Sequence, residues 1–251
     1  MQKTFLSVVI PSYNEMANLQ KGILDKVKRY LDAHSYGYEV IVVDDGSNDG
    51  SREFVKNFVE DNSAFRLIEN HHTGKAGAVT TGILSAKGDF VLFTDMDQAT
   101  PIEKIEKMIP YLKKGTDIVI GSRKERKGAP FSRKIMSQSA IMLRKVLVGL
   151  PEIDDTQCGF KIFSQDAAQD IFKKIKKIHE GFKAIKGSAV TSGFDVELLY
   201  LAQQAQYSIK EVPVRWLYVE TRRVSPINDS INGVKDLMKI RYNMQKGIYN
   251  V

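Results

Sequence analysis

One cysteine, Cys158, stands in 251 residues. A lone thiol closes no internal disulfide, so a disulfide scaffold is excluded and a reducing compartment is the simplest expectation. No run of about 18 apolar residues occurs, so no transmembrane helix is expected. The most apolar region, Ile135 to Leu150, is interrupted by Arg144 and Lys145. The first apolar run ends at Pro11 without a small-residue cleavage site, so no signal peptide is expected. Several motifs are also missing. The absence of GxxxxGK(S/T) argues against a P-loop NTPase, and no GxGxxG follows the first strand as a dinucleotide fold would need. His71 and His72 are adjacent and there is no HExxH or CxxC, which argues against zinc. No GxSxG elbow appears.

What is present is a globular composition, 43% hydrophobic, with a formal charge of +7. The charge is unevenly placed. Residues 1–100 hold 10 basic and 14 acidic groups, residues 101–150 hold 12 and 4, and residues 201–251 hold 8 and 4. Such basic segments suit anionic lipid, phosphorylated ligands or nucleic acid, or are solvated helix faces. Only Tyr111 and Phe131 accompany the basic residues of 101–150, so no stacking platform for nucleic acid is evident.

Continuous apolar runs alternate with helical patterns. Strands are expected at Phe5–Ile10, Glu39–Val43, Phe65–Ile68, Asp89–Thr94, Asp117–Ile120, Gly159–Phe163 and Ile209–Tyr218. Helices are expected at Glu15–Leu31, Ser51–Val59, Ala76–Ala86, Ile102–Leu112, Ser132–Leu150, Gln165–Ile178, Asp195–Gln206 and Asp229–Tyr249. The pattern predicts an α/β fold with a mostly parallel, Rossmann-like central sheet and helices on both faces. No repeat or linker divides residues 1–251, so one domain is expected.

Ligands of such sheets bind beyond the carboxyl ends of the strands. Three strands end in polar groups there: Pro11-Ser-Tyr-Asn-Glu15, Asp44-Asp-Gly-Ser47 and Asp95-Met-Asp97. Glu15, Asp44, Asp45, Asp95 and Asp97 are expected to converge on one crevice, where a cation or hydrogen-bond donors must offset their repulsion. Asp95 and Asp97 form a metal-ligand pair suited to Mg2+ or Mn2+ on a diphosphate. The bland alternative is a pair of turn-forming aspartates.

In order along the chain, Val9-Ile-Pro-Ser-Tyr-Asn-Glu15, Val42-Val-Asp-Asp-Gly-Ser-Asn-Asp-Gly-Ser51, Gly74-Lys-Ala-Gly-Ala78 and Asp95-Met-Asp97 resemble the motifs of inverting family 2 glycosyltransferases with the GT-A fold. Gly121-Ser-Arg123, Asp155–Phe163, Phe194-Asp-Val-Glu-Leu-Leu199 and Glu211-Val-Pro-Val-Arg-Trp216 are similar to the branch that glycosylates polyprenyl phosphates. The resemblance covers nearly the whole chain. It implies that Pro11, Tyr13, Glu15 and Asp45 hold the nucleotide, with Asp44 supporting the turn. It implies that Lys75 lies near the donor, that Asp95 contacts ribose or metal, and that Asp97 ligates the metal. Arg123, Arg133 and Arg222 would face the acceptor phosphate, with Arg126 and Arg223 available. Residues 1 to about 100 would bind the nucleotide sugar, and about 101–251 would face acceptor and membrane. One departure is visible. Mannosyl members often carry Gln two residues after the second Asp, where Ala99 stands here beside Gln98.

The implied activity is a metal-dependent hexosyl transfer, with UDP-glucose as the expected donor and a dolichyl or undecaprenyl phosphate as acceptor. A phosphate oxygen is already anionic, so no strong base is required; a hydroxyl acceptor would need one, and Asp195 is then the candidate. Asp195 is otherwise an N-cap. A GDP-mannose-dependent transferase is the nearest alternative. Lys161 is either an anion contact or a solvated strand lysine. The expected location is cytoplasmic and peripheral on an anionic membrane surface, docked by the helix at 134–150 or the final one. A second copy of the chain is a further candidate partner, and nucleic acid is not expected.

Overall fold

The apolar runs form one seven-stranded sheet in the computed structural model, which describes residues 3–123, 141–182, 193–217 and 226–251, with backbone alone at 226–230. In chain order the strands are β1 (Thr4–Ser12), β2 (Gly37–Asp44), β3 (Phe65–Glu69), β4 (Phe90–Thr94), β5 (Ile118–Ser122), β6 (Phe160–Ser164) and β7 (Ile209–Pro213). Their order across the sheet is β3-β2-β1-β4-β6-β5-β7. Strands β1 to β4 run parallel, and so do β5 and β7. Only β6 is reversed, between β4 and β5. The sheet is therefore mostly parallel, and every strand but β6 ends at one common edge. The reversal brings the start of β6 to that edge, with Phe160 paired to Thr94.

The helices are α1 (Met16–Leu19), α2 (Ile23–Asp32), α3 (Ser51–Glu60), α4 (Gly74–Ser85), α5 (Ile109–Leu112), α6 (141–148), α7 (Gln165–Ile178), α8 (Gly193–Gln204) and α9 (Pro226–Gln245). The single helix expected over Glu15–Leu31 is two, broken at Gly22 (φ +69°). The helix expected at Ile102–Leu112 is a 3-10 segment, Ile102–Lys107, followed by α5 with Pro110 in its first turn. The strand expected to reach Tyr218 stops at Pro213, which has no N–H to donate. Ser132–Ala140, Arg126, Arg133, Arg222 and Arg223 lie outside the described residues.

Alternation along the strands feeds two cores. Val9, Ile41, Val43, Phe93, Ile120 and Phe163 face α4, α7 and α8. Val8, Ile10, Val42, Leu92 and Ile162 face α2 and α5. Helix α4 lies close on the sheet because it is lined with small residues; a Cβ at Gly82 would meet Val9 Cγ1 at 2.4 Å. Glu197 of α8 is buried and accepts from Tyr249 Oη at 2.7 Å, with His179 Nε2 at 2.6 Å. That ties α7, α8 and the C-terminal segment together. Among the described residues no helix is long and apolar enough to cross a membrane.

Candidate active site at the carboxyl edge

The turns after β1 and β2 clasp one another. Asn14, with φ +54°, donates its N–H to Ser47 Oγ at 3.0 Å and accepts from Asn48 N at 2.9 Å. Glu15 N donates to Ser51 Oγ at 2.8 Å, and Glu15 Oε2 accepts from Asn18 at 2.6 Å. Asp44 is fully buried. Its Oδ2 accepts from Gly46 N, Ser47 N and Arg52 Nε. These bonds brace the turn after β2. Asp45 is also buried, and both its oxygens serve the start of α4. Oδ1 accepts from Thr73 N and Thr73 Oγ1, and Oδ2 from Gly74 N at 2.7 Å, with His72 Nδ1 at 2.9 Å. Two backbone amides and two side-chain groups thus tie Asp45 to the start of α4. Tyr13 stacks on His72, ring centres 4.1 Å apart and nearly parallel. Pro11 is half-buried beside them at the end of β1.

Asp95 and Asp97 follow β4 on a turn in which Gln98 has φ +48°. Lys75, in the first turn of α4, pairs with Asp95 Oδ1 at 2.6 Å. Burial works to lower the Lys75 pKa, but the charges of Asp95, Asp195 and Asp97 outweigh it and hold the ammonium above its ordinary value. Three carboxylates thus act on one lysine, Asp95 by direct contact and Asp195 and Asp97 through their charge. Asp97 Oδ1 also accepts from Ala99 N at 2.9 Å. Asp95 fits only because residue 159 is glycine: a Cβ there would sit 1.8 Å from Asp95 Oδ2.

The cation side of the edge is built from longer-range pairs. Arg123 follows β5 and grips Asp155 with two prongs, Nε to Oδ2 and Nη2 to Oδ1, both 2.7 Å. Burial opposes charge on Asp155, yet the Arg123 guanidinium holds its carboxyl below the ordinary range. Glu211 of β7 accepts from Asp154 N and Asp155 N, fixing that loop. Two expectations are corrected nearby. Arg144 is not a membrane-facing cation; it is buried and donates to Thr156 Oγ1 and to the carbonyls of Ile153 and Asp154. Lys145 pairs with Asp154 at 2.7 Å. Lys161 is no solvated strand lysine either: it is fully buried and pairs with Asp195 at 2.5 Å. Arg133 and Arg222 lie outside the described residues.

Four buried side-chain oxygens of this edge have no protein partner among the described residues: Ser12 Oγ, Asp44 Oδ1, Gln98 Oε1 and Ser122 Oγ. They end β1, β2 and β5 or follow β4, and buried polar atoms of that kind call for a bound partner. Among the described residues no three His, Cys, Asp or Glu side chains form a metal-binding group. The donors that do gather on the β4 turn, Asp95, Asp97 and Gln98 Oε1, are all oxygen, and that chemistry fits Mg2+ or Mn2+.

Sequence reasoning missed Gly159, His72, Thr73, Arg52 and the partner of Lys161. One signal was legible: Lys161 alternates with Phe160 and Ile162 in an apolar strand, so it shares a face with Phe163. Arg52 meets Asp44 eight residues away, and the remaining ones depend on contacts 27 or more residues apart, such as His72 with Asp45.

A mostly parallel sheet with its acidic and basic groups gathered on one edge defines a Rossmann-like α/β fold with its candidate site beyond the carboxyl ends of the strands. Residues 7–172 match the family described as Glycosyl transferase family 2, and the chain belongs to that family. It is 33% identical over 265 residues to the dolichyl-phosphate beta-glucosyltransferase of Dictyostelium discoideum, covering 98% of this chain and 77% of that one. It is 33% identical to the Saccharomyces cerevisiae protein of the same name, over 99% of this chain and 77% of the other. Among solved structures, glucosyl-3-phosphoglycerate synthase of M. tuberculosis superposes with TM-score 0.59 at 20% identity, over 94% of this chain and 80% of the other. Mannosyl-3-phosphoglycerate synthase from Rubrobacter xylanophilus gives 0.60 at 16% identity, over 97% and 75%. These structures share the expected GT-A fold.

Proposed function

We propose that the chain transfers glucose from UDP-glucose to a polyprenyl phosphate with inversion, giving a β-linked lipid phosphosugar. The observation that carries this is the gathering of Lys75, Asp95 and Asp97 at the end of β4, with Arg123 at the end of β5 on the same edge. The relatives named dolichyl-phosphate beta-glucosyltransferase support the choice of sugar and acceptor. Residues 1 to about 100 carry the donor side, and the rest of a single 1–251 domain carries the acceptor side.

The acceptor phosphate attacks as an anion, so the site needs cations more than a base. Arg123 offers a planar guanidinium suited to phosphate. Lys75 lies among the carboxylates and would meet the donor diphosphate. Tyr13, on its His72 stack, offers a flat surface for the base. Asp97 and Asp95, with Gln98 Oε1, would hold Mg2+ or Mn2+, which when bound neutralises charge on the leaving nucleoside diphosphate. Asp195 spends Oδ1 on Lys161, which favours a positioning role over that of a base for a hydroxyl acceptor.

The acceptor's lipid tail stays in a bilayer, so the enzyme must reach one. Helix α9 supports that encounter. Ile231, Val234, Met238 and Tyr242 form an exposed apolar stripe flanked by exposed Lys235, Lys239, Arg241 and Lys246. We expect peripheral binding to anionic vesicles that weakens with salt. Equal sedimentation with neutral and anionic vesicles at low salt would overturn this. For the reaction, the test is a panel of UDP-glucose, other UDP-sugars and GDP-mannose with polyprenyl phosphate, with and without Mg2+ or Mn2+. The expected result is a glucosylated lipid phosphate formed only with metal; a product from GDP-mannose alone would overturn the assignment.

A further inference from the structure

Lys161 lies inside the sheet, near the start of β6 and between β4 and β5, 0% exposed. It pairs across to Phe93 of β4 on one side and to Ile120 of β5 on the other. An uncompensated ammonium there would be very costly, whereas an apolar side chain of similar length would suit the core. Buried ion pairs are weak contributors to stability, so stability alone is a poor reason for a lysine at this position.

Its bonds suggest another reason. Nζ donates to the Cys158 carbonyl at 2.7 Å and to Asp195 Oδ1 at 2.5 Å. Cys158 belongs to the 155–159 turn. That turn carries Asp155, which grips Arg123, at one end, and Gly159, against which the Asp95 carboxylate is seated, at the other. Asp195 lies in the first turn of α8. The ammoniums of Lys161 and Lys75 lie 5.7 and 5.2 Å from the centre of the same Phe93 ring. One buried charge therefore ties the acceptor-side turn to α8, beside the strand that leads into Asp95.

The geometry points to Lys161 as a positioning residue for the transfer: it sets the 155–159 turn and Asp195 against the Lys75–Asp95 pair and so fixes the spacing between donor side and acceptor side. This rests on the glycosyl-transfer reading and deepens it. Lys161 acts through Asp195 and the turn, not on substrate.

The test compares Lys161→Met, Asp195→Asn and the double variant with the wild-type enzyme. In Lys161→Met, kcat with polyprenyl phosphate falls about 100-fold, while calorimetric affinity for UDP stays within about twofold. Because Lys161 works through Asp195, the double variant stays within about twofold of the worse single variant. Amide exchange across 155–159 and 193–197 rises about tenfold in Lys161→Met, with β1 to β3 unchanged. Wild-type kcat in Lys161→Met, losses that multiply in the double variant, or unchanged exchange in both segments would each overturn the inference. Should Lys161→Met not fold alone, the double variant carries the comparison, since it leaves no buried charge unpaired. It then binds UDP yet turns over slowly; wild-type turnover in it overturns the inference. A wild-type enzyme that transfers no sugar would sink the glycosyl-transfer reading instead, and the exchange comparison would still decide whether Lys161 holds the turn.

Discussion

On the β1–β2 side of the edge, Asp44 and Asp45 each accept from two backbone amides of their own or neighbouring turns, beside Arg52 on Asp44 and Thr73 Oγ1 and His72 on Asp45. On the β4–β6 side, Asp95, Asp155 and Asp195 are each held by a basic side chain, Lys75, Arg123 and Lys161. The two arrangements differ in what they permit. Amide donors fixed in turns cannot be given up without undoing the turns, so those carboxylates are scaffold. The partly exposed Lys75–Asp95 pair can exchange its partner for an incoming anion or cation at less cost to the fold than the buried Lys161–Asp195 pair. The chemistry of transfer is therefore expected on the second side, with the first side holding its shape.

The sharpest way to break that comparison is Asp97→Asn. Asp97 lies within the field of Lys75 and is the expected principal metal ligand. Its loss should lower turnover by about 1000-fold or more while melting temperature stays near that of the wild type. A variant retaining more than about a tenth of turnover would move the chemistry away from the β4 turn. Gly159→Ala should come next. The added methyl would collide with Asp95 Oδ2 at 1.8 Å, so Asp95 must leave its place beside Lys75. Turnover should fall about 100-fold. If a structure of the variant kept the Lys75–Asp95 pair and activity survived, the seat of Asp95 would not matter.

The same contrast explains what the sequence made legible. The runs Asp44-Asp-Gly-Ser47 and Asp95-Met-Asp97 announce turns at strand ends by local chemistry, and parallel strands put those turns on one edge. The reversed direction of β6 was not legible, because apolar alternation carries no strand polarity. That reversal places Gly159 against Asp95 and Lys161 beside Phe93, so the contacts that depend on it were hidden as well. The engagement of Asp45 was hidden for a related reason. Spacing puts a carboxylate at a strand end but does not say whether the amides of α4, 29 residues on, have already claimed it, as Gly74 N claims Asp45.

Asp45→Ala sharpens the scaffold side. It removes the acceptor for the first amides of α4, and the expected loss is about 1–2 kcal/mol of stability, a fall of about 3–6 °C in melting temperature. UDP affinity of the folded protein should drop less than about tenfold. A larger drop with unchanged melting temperature would return Asp45 to the direct nucleotide contact that the family resemblance implies.

The smallest effect concerns pH and the Arg123–Asp155 pair. Burial alone would raise the Asp155 carboxyl, but the guanidinium and its hydrogen bonds hold it below the ordinary value of 3.8. A carboxylate whose folded pKa is depressed contributes stability that is fully present above its unfolded value, and that contribution fades as pH falls through the folded value. The difference in melting temperature between wild type and Asp155→Asn should therefore be constant from about pH 8 to about pH 5, and shrink only below about pH 4. The two-pronged geometry, 2.7 Å at each prong, is what keeps the pair intact through that range. A small difference that does not change with pH would mean that the pair is loose in solution. The cation side of the edge would then be held less firmly than the amide-bound side at every pH at which the enzyme works.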